Sequence, residues 1–210
     1  MYRRDVLKAA GTFAAGASVR AIGIQAATTS QASAAESVAV RHIITRDRTN
    51  LFHKDWGTGK PIVFVSSWGL NADMWAYQMV ALSGLGLRCV AFDRRGHGRS
   101  DDPGRGYDYD TLADDLATVI EQLELQQITL IGHSMGAGEI VRYLSRHGPN
   151  RVARVVLLAP TTPFLLKTAD NPDGVDKTVF DQTRAMWRKD FPKWLFTMPA
   201  PSLCRTRRPR

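Results

Sequence analysis

Short apolar runs alternate with amphipathic stretches through most of the chain. Val38–Thr45 and Asn50–Trp56 read as two strands around a turn at Asp47-Arg48-Thr49, and Gly57-Thr58-Gly59-Lys60-Pro61 reads as a second turn. Pro61–Ser66 (PIVFVS) is a continuous, mostly β-branched run, as expected for a parallel strand buried on both faces. Ala72–Ser83 places Trp75, Met79 and Leu82 on one helical face, with Asn71 as the candidate N-cap. Arg88–Phe92 is another short buried strand, and Thr111–Leu123 is the clearest helix. Leu112, Leu116, Val119, Ile120 and Leu123 form its stripe, and Thr111-x-x-Asp114 resembles a capping box. Gln127–Gly132 reads as a strand, Met135–His147 as a helix stopped by Gly148-Pro149, and Val152–Leu158 as a further strand. Strands alternating with helices predict right-handed βαβ units, hence an α/β fold with a mostly parallel, doubly wound sheet and helices on both faces.

Composition changes this picture only at the ends. The chain has 210 residues, 44% apolar and 23% charged, the profile of a soluble globular protein. Its net charge of +8 would suit a nucleic-acid binder if the charge lay on a folded face. Instead Arg3, Arg4, Lys8 and Arg20 face a single acid in the first 35 residues. Arg205, Arg207, Arg208 and Arg210 crowd the last twelve, and the body between is close to neutral. No nucleic-acid partner is expected.

The start, Arg3-Arg4-Asp5-Val6-Leu7-Lys8, leads into small apolar residues and closes on Ala32-Ser33-Ala34, the small-x-small pattern that signal peptidases cleave. It resembles a twin-arginine export signal, with the twin-arginine machinery as partner and a periplasmic or secreted destination. Interruptions at Gly11, Gly16, Ser18 and Arg20 make it a poor membrane span. Residues 1–35 are therefore set apart as a leader. Cys89 lies in an apolar run and reads as a core residue; nothing near it or Cys204 has metal-ligand spacing.

The chemistry concentrates where the strand Gln127–Gly132 runs into Gly132-His133-Ser134-Met135-Gly136 and then directly into a helix. This is G-x-S-x-G in the strand–turn–helix setting its mechanics require. Only small residues fit beside so tight a turn, which accounts for Gly132, Gly136 and Gly138. The turn lifts the Ser134 hydroxyl above the sheet edge at a helix N-terminus, where the dipole and free N–H groups favour a developing oxyanion. The Met135 N–H is one expected donor. Trp68, in the loop Ser66-Ser67-Trp68-Gly69-Leu70, supplies the second through its backbone N–H or is only a wall of the pocket. His133 adjoins the serine, but side chains diverge at an elbow, so it reads as a packed histidine. His97, in Gly96-His97-Gly98, reads as part of a sharp turn.

Several stretches together resemble the cofactor-free haloperoxidase, or perhydrolase, branch of the α/β-hydrolases. They are Asp55-Trp56-Gly57, Trp68 with Asn71-Ala72-Asp73-Met74-Trp75, Ala91-Phe92-Asp93-Arg94-Arg95-Gly96-x-Gly98-x-Ser100 and Gly106-Tyr107-Asp108-Tyr109-Asp110. The elbow itself and Leu166-Lys167-Thr168-x-x-Asn171-Pro172-x-Gly174 complete the series, which spans about Asn50 to Arg188. The resemblance implies an esterase on small esters that, with a short carboxylic acid and hydrogen peroxide, forms a peracid able to oxidise halide. It implies no metal or cofactor. It divides the chain into a hydrolase core at 36–162 and the start of a helical cap at 163–195. Dehalogenases and epoxide hydrolases of this superfamily carry an aspartate where Ser134 stands, which disfavours those activities.

Two features depart from the family. Ser66-Ser67 replaces the usual His-Gly before the tryptophan. A serine nucleophile also needs a histidine base held by a carboxylate, which follow the serine in chain order in this fold. The only histidine after Ser134 is His147, thirteen residues along the helix and so about 20 Å away at 1.5 Å per residue. The triad acid and histidine are therefore expected to be absent from this chain, together with the C-terminal strands. From Phe196 both periodicity and family likeness cease, and the proline- and arginine-rich 196–210 reads as out-of-frame translation or as a basic tail for an anionic surface. The alternative to an enzyme is a non-catalytic, truncated product.

Overall fold

Neighbouring residues of β3 (Pro61–Val65) serve two different cores, because side chains alternate across a strand. The computed structural model describes residues 42–162 and 164–197, all within one compact unit, Ala39–Arg210. Val63 and Val65 join one core cluster while Ile62 and Phe64 join another. In β4 (Arg88–Phe92) Val90 and Phe92 go to the first cluster, and Cys89 and Ala91 to the second. Both faces are apolar, so both need a layer of helices.

The first cluster is closed by α2 (Tyr109–Gln122), through Leu116, Val119 and Ile120, and by α3 (Met135–His147), through Ile140 and Tyr143. The second is closed by a 3₁₀ turn, Ala72–Trp75, and α1 (Ala76–Gly84), through Trp75 and Met79. With β1 (His42–Ile44), β2 (Asn50–Trp56), β5 (Ile128–His133) and β6 (Val152–Leu158), the sheet has the order β1-β2-β4-β3-β5-β6. β1 and β2 pair antiparallel, as do β2 and β4; the remaining pairs are parallel. From β3 the chain goes first to β4 on one side and later to β5 on the other. That reversal opens a crevice beyond the carboxyl ends of β3 and β5, the usual ligand site of such sheets.

The described residues bear out the doubly wound α/β architecture and refine its boundaries. The leader at 1–35 and residues 198–210 lie outside them, as do residues 38–41 of the expected first strand. The helix expected at Ala72 opens as the 3₁₀ turn. Asn71 caps it, its side chain accepting the Asp73 N–H at 2.9 Å. Gln127 has φ +52° and belongs to the turn before β5, so the strand begins one residue later. The capping box at Thr111 does not form. Asp108 is the N-cap, accepting the Thr111 N–H at 2.9 Å, and Asp114 turns instead to Arg146 and His147.

Beyond β6, α4 (Lys177–Thr197) is broken at Asp190 (φ −165°, ψ 88°), two residues before Pro192. Proline lacks the N–H a continuous helix needs, and Asp190 restarts the helix by accepting the Lys193 N–H at 2.9 Å.

Candidate active site

The parallel register pairs Val65 with Gly132, so the loop leaving β3 and the turn leaving β5 emerge side by side. Ser134 occupies that turn at φ +54°, ψ −116°, a conformation that costs a non-glycine residue strain. Its surroundings hold it there. The Ser134 N–H donates to the Leu158 carbonyl at 2.9 Å, and the Thr161 hydroxyl donates to the Ser134 carbonyl at 3.3 Å.

The glycines are needed for close approach. A Cβ on Gly136 would stand 2.4 Å from the Val65 carbonyl oxygen and 2.7 Å from that of Ser66. One on Gly132 would meet the Gly136 carbonyl oxygen at 2.7 Å, and one on Gly138 the Tyr109 hydroxyl at 2.8 Å. The first turn of α3 is thus pressed against the end of β3. Among the described residues, neither the Met135 nor the Trp68 N–H donates to a backbone acceptor. Trp68 is 43% exposed, and its ring stacks on Trp187 of α4, with centroids 5.1 Å apart and planes at 13°.

The histidines do not converge on Ser134. His147 bonds Asp114 through Nε2 at 2.8 Å and stacks on Tyr143. His42 and His53 lie on β1 and β2, separated from β5 by β4 and β3. His133 ends β5, with Nδ1 buried. His97 meets the loop after β3, its Nε2 3.3 Å from the Gly69 nitrogen and its Nδ1 3.1 Å from the Arg95 carbonyl oxygen. Burial holds its pKa below the ordinary histidine value, which suits the neutral tautomer that donates to Arg95 and accepts from Gly69.

Three charged residues beside the site were not assigned roles from sequence. Asp93 is fully buried and accepts the Ala72 and Arg99 N–H groups, each at 2.8 Å. Arg94 and Glu139 form an ion pair with side chains 3% and 0% exposed. Burial outweighs the nearby guanidinium and pushes the Glu139 pKa up to about 7, and its Oε2 has no partner among the described residues. The available signal was a glutamate on the buried stripe of α3, between Ala137 and Ile140. Among the described residues no cluster of His, Cys, Asp and Glu could hold a metal ion, and no helix is long and apolar enough to cross a membrane.

The family profile for the alpha/beta hydrolase fold matches residues 60–201. A non-heme chloroperoxidase of Kitasatospora aureofaciens is 49% identical over 137 residues, covering 65% of this chain and 50% of the relative. A bifunctional esterase/perhydrolase of Acinetobacter calcoaceticus is 40% identical over 161 residues, covering 76% and 58%. The solved structure of an esterase from Exiguobacterium antarcticum superposes with a TM-score of 0.71 at 36% identity, covering 73% of this chain and 57% of that one. The chain spans about half the length of the curated relatives it matches.

Proposed function

Because the chain belongs to the alpha/beta hydrolase fold family, we propose that Ser134 is the nucleophile of a cofactor-free serine hydrolase of esterase and perhydrolase type. The observation that carries this reading is the strained Ser134 turn at a helix N-terminus, beside the loop that leaves β3. The Ser134 oxygen attacks the carbonyl carbon of a small ester, and the Met135 and Trp68 N–H groups take the charge that develops on the carbonyl oxygen. The C–O bond to the alcohol breaks, and the acyl group stays on the serine. Water then releases a carboxylic acid, or hydrogen peroxide releases a peracid, which oxidises halide while returning to the acid. The relatives' names, chloroperoxidase and esterase/perhydrolase, describe these two outcomes.

Each step needs a base for the serine proton, and none of the described histidines stands at Ser134. That favours a second reading, a chain that keeps the fold and the elbow without turning over. The two differ in one assay: hydrolysis of p-nitrophenyl acetate with and without added imidazole as external base. A hydrolase short of its base retains the fraction of catalysis supplied by the oxyanion site and binding, about 10³–10⁴-fold over water in serine proteases stripped of a triad member. With the rate due to imidazole alone subtracted, imidazole should raise the rate of the parent chain and not that of Ser134→Ala. Equal rates in the two proteins, with or without imidazole, would leave the non-catalytic reading.

The segment from Thr161 into α4 would form the start of a cap, resting on Trp68 through Trp187. The leader at 1–35 would send the protein out through the twin-arginine route.

A further inference from the structure

The segment after β4 clasps the loop after β3 along its whole length. Asp93 holds Ala72, His97 meets Gly69, and Arg94 donates to the Ser66 carbonyl at 2.8 Å and the Ser67 carbonyl at 3.3 Å. The same guanidinium bonds Glu139 of α3, from Nε at 2.7 Å and also from Nη2. One buried ion pair therefore ties together the two pieces of chain that carry the Trp68 N–H and the Met135 N–H.

The peptide plane explains why this matters. In a trans peptide the carbonyl and the following N–H point in opposite directions. With its carbonyl directed at Arg94, the Ser67–Trp68 peptide must aim the Trp68 N–H away from Arg94. The pair is also an expensive way to stabilise a core. Buried ion pairs are often matched or exceeded in stability by apolar residues of similar size. What an apolar pair cannot do is hold two carbonyl oxygens in a fixed direction, which is the geometry that the planar guanidinium fork supplies.

We infer that Arg94 and Glu139 are positioning residues, holding the loop that bears the Trp68 N–H in register with the Ser134 turn. The role assigned to Trp68 rests on the hydrolase reading above; the clasp itself does not.

The test compares the full 210-residue chain with Arg94→Met/Glu139→Met and with Arg94→Lys. Three quantities are read: the thermal melt, amide hydrogen exchange at Gly69 and Leu70 against Leu130 in β5, and the rate at which a fluorophosphonate phosphonylates Ser134. The double variant removes the pair without stranding a charge. It should melt cooperatively near the parent's temperature, exchange Gly69 and Leu70 at least tenfold faster with Leu130 unchanged, and label Ser134 at least tenfold more slowly. Arg94→Lys keeps a charge for Glu139 but cannot span both carbonyls, and should show the same acceleration of exchange.

Parent-like exchange in both variants would overturn the inference. Should the double variant fail to fold, exchange in Arg94→Lys decides alone. Absence of Ser134 labelling in the parent would count against the hydrolase reading, while the exchange result still judges the clasp. Faster exchange with unchanged labelling would overturn the link between the clasp and the nucleophile.

Discussion

Gly136 sits where α3 meets the end of β3, and its missing side chain is what permits the contact. An added Cβ would face backbone oxygens of Val65 and Ser66 at 2.4 and 2.7 Å, and backbone cannot step aside as a flexible side chain can. Gly136→Ala should therefore destabilise by about 1–3 kcal/mol, the range for overpacking, as a urea titration would measure. Glu139 sets a pH dependence at the same scale. Its pKa is raised by burial, so the folded chain holds this proton more tightly than the unfolded chain does. The resulting stability is present below the ordinary glutamate value and is lost as pH rises through about 7. Melting temperature should fall across that window in the parent, and Glu139→Gln should flatten the slope. A slope unchanged in Glu139→Gln would assign it to other groups.

Capping decides where the elements begin and end. Asp108 accepts the Thr111 N–H and starts α2 two residues before the expected position, and the Thr111 N–H holds its carboxylate below the usual range. Asp108→Ala should cost about 1 kcal/mol, and thermal melts of parent and variant should converge as pH falls and the carboxylate protonates. The capping box at Thr111 gives way to this local Asp108 cap. Tyr109 also lies against Gly138 of α3, and Asp114 is engaged by Arg146 and His147. Neither contact leaves a local trace in sequence. Where local signals were unopposed, the reading was close. β2, β4, α3 and β6 have the expected bounds, because alternation or periodicity ran up to a turn or a glycine stop.

Across the whole molecule, the same division holds for the site. The Ser134 turn was legible because its strand, tight turn and helix are contiguous. The Arg94–Glu139 pair was not, since its partners are 45 residues apart and meet only after β4, β3 and β5 are assembled. β6 carries a further consequence of the sheet order. It is one of the two edge strands among the described residues, with Val155, Val156 and Leu158 38–41% exposed. Apolar edges template association, so light scattering during gentle heating should show the chain self-associating, and Val156→Lys should raise the concentration at which it does.

If the fold turns Ser134 into a nucleophile, that serine should take a covalent label that other serines do not. The full chain would be incubated with a fluorophosphonate, which forms a bond from the Ser134 oxygen to phosphorus and expels fluoride, and the adduct would be located by peptide mass mapping. One adduct per chain is expected on Ser134, forming slowly, faster with added imidazole, and absent from Ser134→Ala. Labelling spread over several serines, or undiminished in Ser134→Ala, would contradict it.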